Sequence, residues 1–166
     1  ASLVGASPGS AANFDPAQGY AWRFAVAGVP ITTFEPAEFL VDTTNFVKFN
    51  GSLVAAKLLT GGNPFDLYLL GSNNVLSGGP TTLNNTGLVQ IGDSATDVSL
   101  FTGGLTVTSA NPNTKIAGFI RTASSAITLQ RTSLVSNTTL DTTNNGASVA
   151  GATISLLDGI SLNNFT

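Results

Sequence analysis

Few side chains in this chain could do acid–base or nucleophilic work. The acidic residues include two close pairs, Glu35 with Glu38 and Asp93 with Asp97, beside the scattered Asp15, Asp42, Asp66, Asp141 and Asp158. A carboxylate pair is what glycoside hydrolysis requires, one group protonating the leaving oxygen while the other activates water or attacks the sugar. Both pairs fit a turn cap or a solvated charge better, and Asp93 stands in a plain Gly92-Asp93-Ser94 turn sequence. Asp93 and Asp97 also offer the hard oxygen ligands that Ca²⁺ takes, but no Asp-x-Asp-x-Asp-Gly loop accompanies them. His, Cys and Met are absent. Serine therefore has no imidazole to activate it, no Gly-x-Ser-x-Gly elbow occurs, and thiol or soft-metal chemistry is excluded. The glycine pairs Gly61-Gly62, Gly78-Gly79 and Gly103-Gly104 read as turns, since none leads into the Lys of a phosphate-binding loop. The expectation is a protein that is not an enzyme and that uses no cofactor or resident metal.

Binding candidates are equally sparse. Tyr20, Trp22, Phe24 and Val26 alternate with Ala21, Arg23 and Ala25, the clearest period of two in the chain. Such an aromatic face forms either core or a platform on which a sugar stacks. The cations Arg23, Lys48, Lys57, Lys115, Arg121 and Arg131 lie far apart, so no patch exists to neutralise phosphates, and nucleic acid is excluded as a partner. The two clearest candidate stretches, Leu53 to Leu59 and Leu67 to Leu70, fall far short of the ~20 residues of a membrane span. Asn50, Asn84, Asn137 and Asn164 open Asn-x-Ser/Thr sequons, which a composition this rich in Asn and Thr produces by chance.

The elements that must carry these residues follow from composition. Charged residues make up 9% of the 166, against a usual ~25%. Thr (22), Ser (16), Asn (15) and Gly (18) dominate. Long exposed helices, which lean on Glu, Lys and Arg, are hard to build from this set. Hydrophobic residues at 42% still supply a core. Ten of the aromatics fall in the first 68 residues, which divides the chain into an extended arm (1–19), an aromatic front (20–70) and a Thr/Ser/Asn-rich remainder (71–166) of the same domain. Within the front, Glu35 to Leu40 reads as a short helical turn opened by Pro36, and Asn50-Gly51 as a hairpin turn between Phe46–Phe49 and Ser52–Ala55. From Gly71 onward, apolar runs of three to five residues alternate with Gly/Asn/Ser/Thr turns at spacings near ten. Strands this short suit the rungs of a parallel β-solenoid, a right-handed β-helix; an antiparallel β-sandwich is the alternative. Val89, Ile91, Val98, Leu100, Leu105, Val107, Ile116, Ile127, Leu129, Leu140, Ile154 and Leu156 are the expected inward side chains.

Four stretches carry a resemblance. They are Leu88-Val89-Gln90-Ile91-Gly92-Asp93, Gly103 to Thr108, Ile116 to Thr122, and Thr138 to Ala147 leading into Ala150 to Leu156. In the last, a strand, an Asp-Thr-Thr-Asn-Asn-Gly turn, Ala-Gly-Ala and a second strand follow one another. This part, residues ~70–166, resembles the right-handed β-helix repeats of large secreted bacterial surface proteins of the filamentous-haemagglutinin type. The resemblance implies an extracellular structural or adhesive role and brings no catalytic residues with it.

The functional expectation is a self-assembling subunit of a surface filament, sheath or layer. Its alternatives are an adhesin or carbohydrate-binding segment of a longer exported protein, and a virion decoration or tail protein. The sequence begins at Ala1 and holds no Met, so it reads as a processed product or an excised segment; if processed, the expected event is removal of a signal peptide, which gives an extracellular, cell-surface location. The expected partner is the chain itself, with a glycan or cell-surface ligand as a further candidate. In the arm, Leu3, Val4 and Phe14 are the sizeable apolar groups that could fill pockets on a neighbour. Ile160 and Leu162 mark a strand that either receives such an arm or donates itself.

Overall fold

The computed structural model describes residues 22–23, 34–41, 46–108 and 114–166, with side chains for 46–108 and 114–166. Leu3, Val4, Phe14 and Tyr20 lie outside the described residues, as do the side chains of Trp22, Glu35 and Glu38. The described residues are all β, without a helix, and form thirteen strands joined into one sheet. These are β1 (Trp22–Arg23), β2 (Phe34–Val41), β3 (Phe46–Phe49), β4 (Val54–Thr60), β5 (Asp66–Leu69), β6 (Asn73–Leu76) and β7 (Thr81–Leu83). They continue as β8 (Val89–Ile91), β9 (Val98–Phe101), β10 (Leu105–Val107), β11 (Thr114–Arg121), β12 (Ile127–Asp141) and β13 (Ile154–Ser161).

Every pairing between these strands is parallel, so none of the described strands forms the antiparallel hairpins of a sandwich. The chain instead coils into a β-solenoid, with three ladders running along its length. The first ladder stacks β1, β3, β5, β8, the start of β11, the middle of β12 and the end of β13. In the second lie the start of β4, β6, β9, the end of β11 and the end of β12. The third holds β7, β10, the start of β12 and the start of β13. Residues of adjacent rungs lie roughly 4.8 Å apart along the stack.

Alternation along each short strand places one set of side chains inside. Val47, Leu67 and Val89 register with one another, as do Phe49, Leu69, Ile91, Ile116 and Leu134, and all are buried. Along these stretches each member packs on the side chain above and the one below, and the first column turns polar beyond Val89, at the buried Thr114 and Thr132. At the corners hydrogen bonds replace packing. Asn74, 1% exposed, donates from Nδ2 to the Gly71 carbonyl at 2.9 Å and to Ser99 Oγ at 3.1 Å, and its Oδ1 accepts the Leu53 N–H at 3.0 Å. Asn85 does similar work two corners later, donating to the Phe65 carbonyl at 2.9 Å. Corners between the second and third ladders close on stacked glycines: Gly79 and Gly104 share a φ of +107, and a Cβ on Gly103 would run into the Gly79 backbone.

Several local expectations are overturned. Asn50-Gly51 makes no hairpin: β3 and β4 belong to different ladders, β3 pairing with β1 and β5 and β4 with β2 and β6, so the dipeptide turns a solenoid corner. Glu35 to Leu40 is strand, not a helical turn, because β2 pairs along β4 from Phe34 to Val41. Val98 and Leu100 are half-buried on the outside while Ser99 and Phe101 point in, since the register that puts Ser99 on Asn74 fixes the phase of β9. Ile154 is 41% exposed because no described strand stacks above its rung. Val89, Ile91, Leu105, Val107, Ile116, Ile127 and Leu129 are buried, and Leu140 and Leu156 pack against the core half-buried.

Candidate functional site

The acidic pair tested by its geometry is Asp93 with Asp97. Asp97 is buried, and its Oδ2 accepts the N–H of Asp93 at 2.9 Å and of Ser94 at 3.0 Å. Both bonds close the turn that carries the chain from β8 to β9, so one carboxylate is consumed in holding its own loop. Asp93 is raised above the usual carboxylate range, first by burial and then by hydrogen bonding to and charge repulsion from Asp97, with the Lys48 ammonium pulling the other way. Among the described residues, no group of three His, Cys, Asp or Glu side chains is arranged to hold a metal ion. No helix there is long and apolar enough to cross a membrane. The sequon residues Asn50, Asn84, Asn137 and Asn164 are all exposed.

The Asp-Thr-Thr-Asn-Asn-Gly stretch is a self-capped loop between β12 and β13. Asp141 Oδ1 accepts from the Thr143 N–H at 2.8 Å and the Thr143 hydroxyl at 2.7 Å, and Oδ2 accepts the Asn145 N–H at 2.5 Å. These donors hold the Asp141 carboxyl below its ordinary range, the Thr143 hydroxyl contributing most, with the Arg121 guanidinium 3.7 Å away adding to them. Asn144, Asn145 and Gly146 take left-handed backbone, which Asn and Gly tolerate. The Thr142 hydroxyl then accepts the Ala152 N–H at 2.8 Å and delivers the chain to the last rung.

That last rung is the most open part of the described molecule. β13 pairs with β12 on one side, and no described strand occupies its other side. Ile154 (41%), Leu157 (49%), Ile160 (43%) and Leu162 (52%) are the large exposed apolar side chains of this end, with Val149 in the preceding loop. The register makes the reason plain: Ile154, Leu156 and Ile160 sit directly over Ile127, Leu129 and Thr132, where a next rung would bury them. The tail covers only one corner. Asn163 Nδ2 donates to the Leu134 carbonyl at 2.9 Å, the Thr138 N–H donates to the Thr166 carbonyl at 2.6 Å, and Phe165 packs half-buried against the core. Asp158 and Gly159, both at positive φ, interrupt the strand opposite Arg131, and Gln130 Nε2 donates to Asp158 Oδ2 at 2.7 Å.

A second feature lies on the outside of the first ladder, near the other end. There Phe46, Lys48, Asn50 and Tyr68 line an open cleft of about 460 Å³. Phe46 registers with Asp66 and Lys48 with Tyr68, so the two rings sit diagonally on neighbouring rungs. The Tyr68 hydroxyl donates to Asp66 Oδ2 at 3.2 Å, and Lys48 Nζ lies 5.9 Å from the centre of the Tyr68 ring. The sequence reading missed this cluster because 20 residues separate Phe46 from Asp66 and only the register joins them. The outward phase of Phe46 and Lys48 against the inward Val47 and Phe49 was the available signal.

Comparison of the chain with protein-family models, with curated proteins and with solved structures finds no match.

Proposed function

We propose that this protein is a non-catalytic extracellular structural subunit that self-assembles into a surface filament, sheath or layer by adding strands to the open edge of β13. The observation that carries the reading is that edge: a side of β13 that pairs with no other described strand, beside the exposed Ile154, Leu157 and Ile160, in a strand without Lys or Pro to discourage pairing. A neighbouring copy supplying one more rung satisfies these groups and stacks its own apolar side chains on the exposed ones. Each net hydrogen bond contributes only ~1 kcal/mol, so the association needs both several of them and the burial of these side chains. The resemblance of residues ~70–166 to filamentous-haemagglutinin-type repeats supports the same role. The arm carrying Leu3, Val4 and Phe14 is the proposed donor, and Ile160 with Leu162 the proposed receiving edge. Sedimentation velocity and negative-stain imaging test this: the chain should form concentration-dependent polymers, and Ile154→Lys combined with Ile160→Lys should leave a folded monomer. A wild-type chain that stays monomeric at high concentration, or a double variant that polymerises as before, overturns it.

A further inference from the structure

We propose that the outer cleft at Phe46, Lys48, Asn50 and Tyr68 is a binding site for a neutral oligosaccharide of hexose units. Its volume, about 460 Å³, lies within the range of small-ligand clefts, roughly 300–1,000 Å³. The lining has the two parts that sugar recognition needs. Phe46 and Tyr68 are half-buried residues on rungs roughly 4.8 Å apart, whose rings can take the C–H side of a pyranose. The lining adds groups suited to hydroxyls, the Lys48 ammonium and the exposed Asn50 amide, while the neighbouring Asp66 carboxylate is already held by the Tyr68 hydroxyl at 3.2 Å and the Leu88 N–H at 2.8 Å. Burial and the nearby Asp66 charge raise the Tyr68 pKa, which keeps that hydroxyl a donor.

Charge selects the ligand class. Aromatic faces also stack nucleobases, but Lys48 is the single cation among the described lining residues, and the Asp66 carboxylate lies beside the Tyr68 hydroxyl it accepts from. A phosphate or sulfate would find one ammonium there, with that carboxylate opposing it. A neutral polyol meets donors and acceptors without that penalty. Position along the axis matters too: the cleft lies on the turn formed by β3 and β5, whereas the open edge belongs to β13 at the other end of the stack. The proposal therefore does not rest on assembly.

Isothermal titration and saturation-transfer NMR of the full chain with maltohexaose, cellohexaose, laminarihexaose and mannohexaose test it, with adenosine monophosphate as the charged, stacking comparison. At least one hexaose should bind, and Tyr68→Ala should weaken it at least about tenfold. Phe119→Ala, which removes an outer ring covered by Arg121 at 4.9 Å, should change nothing. Asn50→Ala and Tyr68→Phe, which alter an exposed amide and one hydroxyl, should each weaken binding by a smaller factor and decide the matter if Tyr68→Ala fails to fold. Binding of none of the four hexaoses overturns the proposal. So does equal binding of the nucleotide, an undiminished affinity in the Tyr68 and Asn50 variants, or an equal loss in Phe119→Ala. Sedimentation of the same variants reads the assembly separately.

Discussion

Replacing Asn74 by Ala should cost this protein more stability than replacing any single half-buried surface residue, although it deletes only three side-chain atoms. The side chain is 1% exposed and serves three partners: it accepts from the Leu53 N–H at 3.0 Å and donates to the Gly71 carbonyl at 2.9 Å and Ser99 Oγ at 3.1 Å. Alanine leaves the Leu53 N–H and the Gly71 carbonyl without that partner in a buried corner. An unsatisfied buried group costs about 1–3 kcal/mol. Two of them, with a small cavity, give a loss of about 3–5 kcal/mol. The Ser99 hydroxyl rotates and suffers less.

Ser99→Ala is the internal control. It removes one neutral bond and leaves a single Asn74 donor unpaired, for about 1–2 kcal/mol. Urea unfolding followed by far-UV circular dichroism measures both, with the slope checked so that a change in midpoint reports stability alone. The expected order is a large loss for Asn74→Ala, a small one for Ser99→Ala, and a double variant costing little more than Asn74→Ala alone, since the Ser99 bond is already gone. A loss below about 1 kcal/mol for Asn74→Ala, or equal losses for the two single variants, refutes the idea that this polar bracket holds the corner between β5 and β6.

Other consequences are checked by similar means. Leu67→Ala empties a fully buried position with Val47 below and Val89 above it in the column, and should cost about 2–5 kcal/mol in the same urea assay. Gly103→Ala should lower stability by about 1–3 kcal/mol, because its Cβ meets the Gly79 backbone, which cannot move as a flexible side chain can. Asp141 has a depressed folded pKa, so its contribution is complete above the unfolded carboxylate value near 3.9 and is lost as pH falls through the lower folded value. Asp93 is raised, so its ionisation weakens the fold as pH rises from that same unfolded value through the higher folded one. Urea midpoints measured across the acid range should therefore fall at the lowest pH in the wild type and fall less in Asp141→Asn.

The solenoid class was legible because its signal is a spacing, short apolar runs separated by turns, and spacing survives ignorance of which strand pairs with which. Local chemistry misled where one dipeptide serves two topologies. Asn50-Gly51 allows the backbone of a hairpin and equally that of a parallel corner, and only the pairing of β3 with β5 decides between them. In β2, Pro36 opens no helix: it falls in the register shift between Phe34 and Glu38, and pairing with β4 on both sides keeps the segment extended. The phase of β9 was misread because Val98 and Leu100 look like core until Asn74 claims Ser99. Ile160, in β13, and Leu162, just past its end, are both exposed. The cleft at Phe46 and Tyr68 was not legible, since its members meet only through a register that no local pattern encodes.

The same composition that makes the coil possible shapes how its end can be used. With charges at 9%, the fold cannot guard an edge with a row of Lys or Glu, the usual defence of an exposed strand. What β13 has instead is the interruption at Asp158–Gly159, where positive φ and the bond from Gln130 turn the backbone out of line between Leu157 and Ile160. An extended strand with straight pairing would lose contact there. A strand with a matching corner, such as β12 with Arg131 at positive φ beneath it, keeps both halves. The interruption thus favours an incoming segment that bends where the rungs of this coil bend, and disfavours flat stacking of unrelated strands. Filling the bend should remove that discrimination: Gly159→Val, strained at a φ of +89, should lower ordered assembly and raise amorphous aggregation together. Turbidity beside negative-stain imaging reads both, and ordered polymers undiminished in Gly159→Val would show that the bend plays no part in choosing the partner strand.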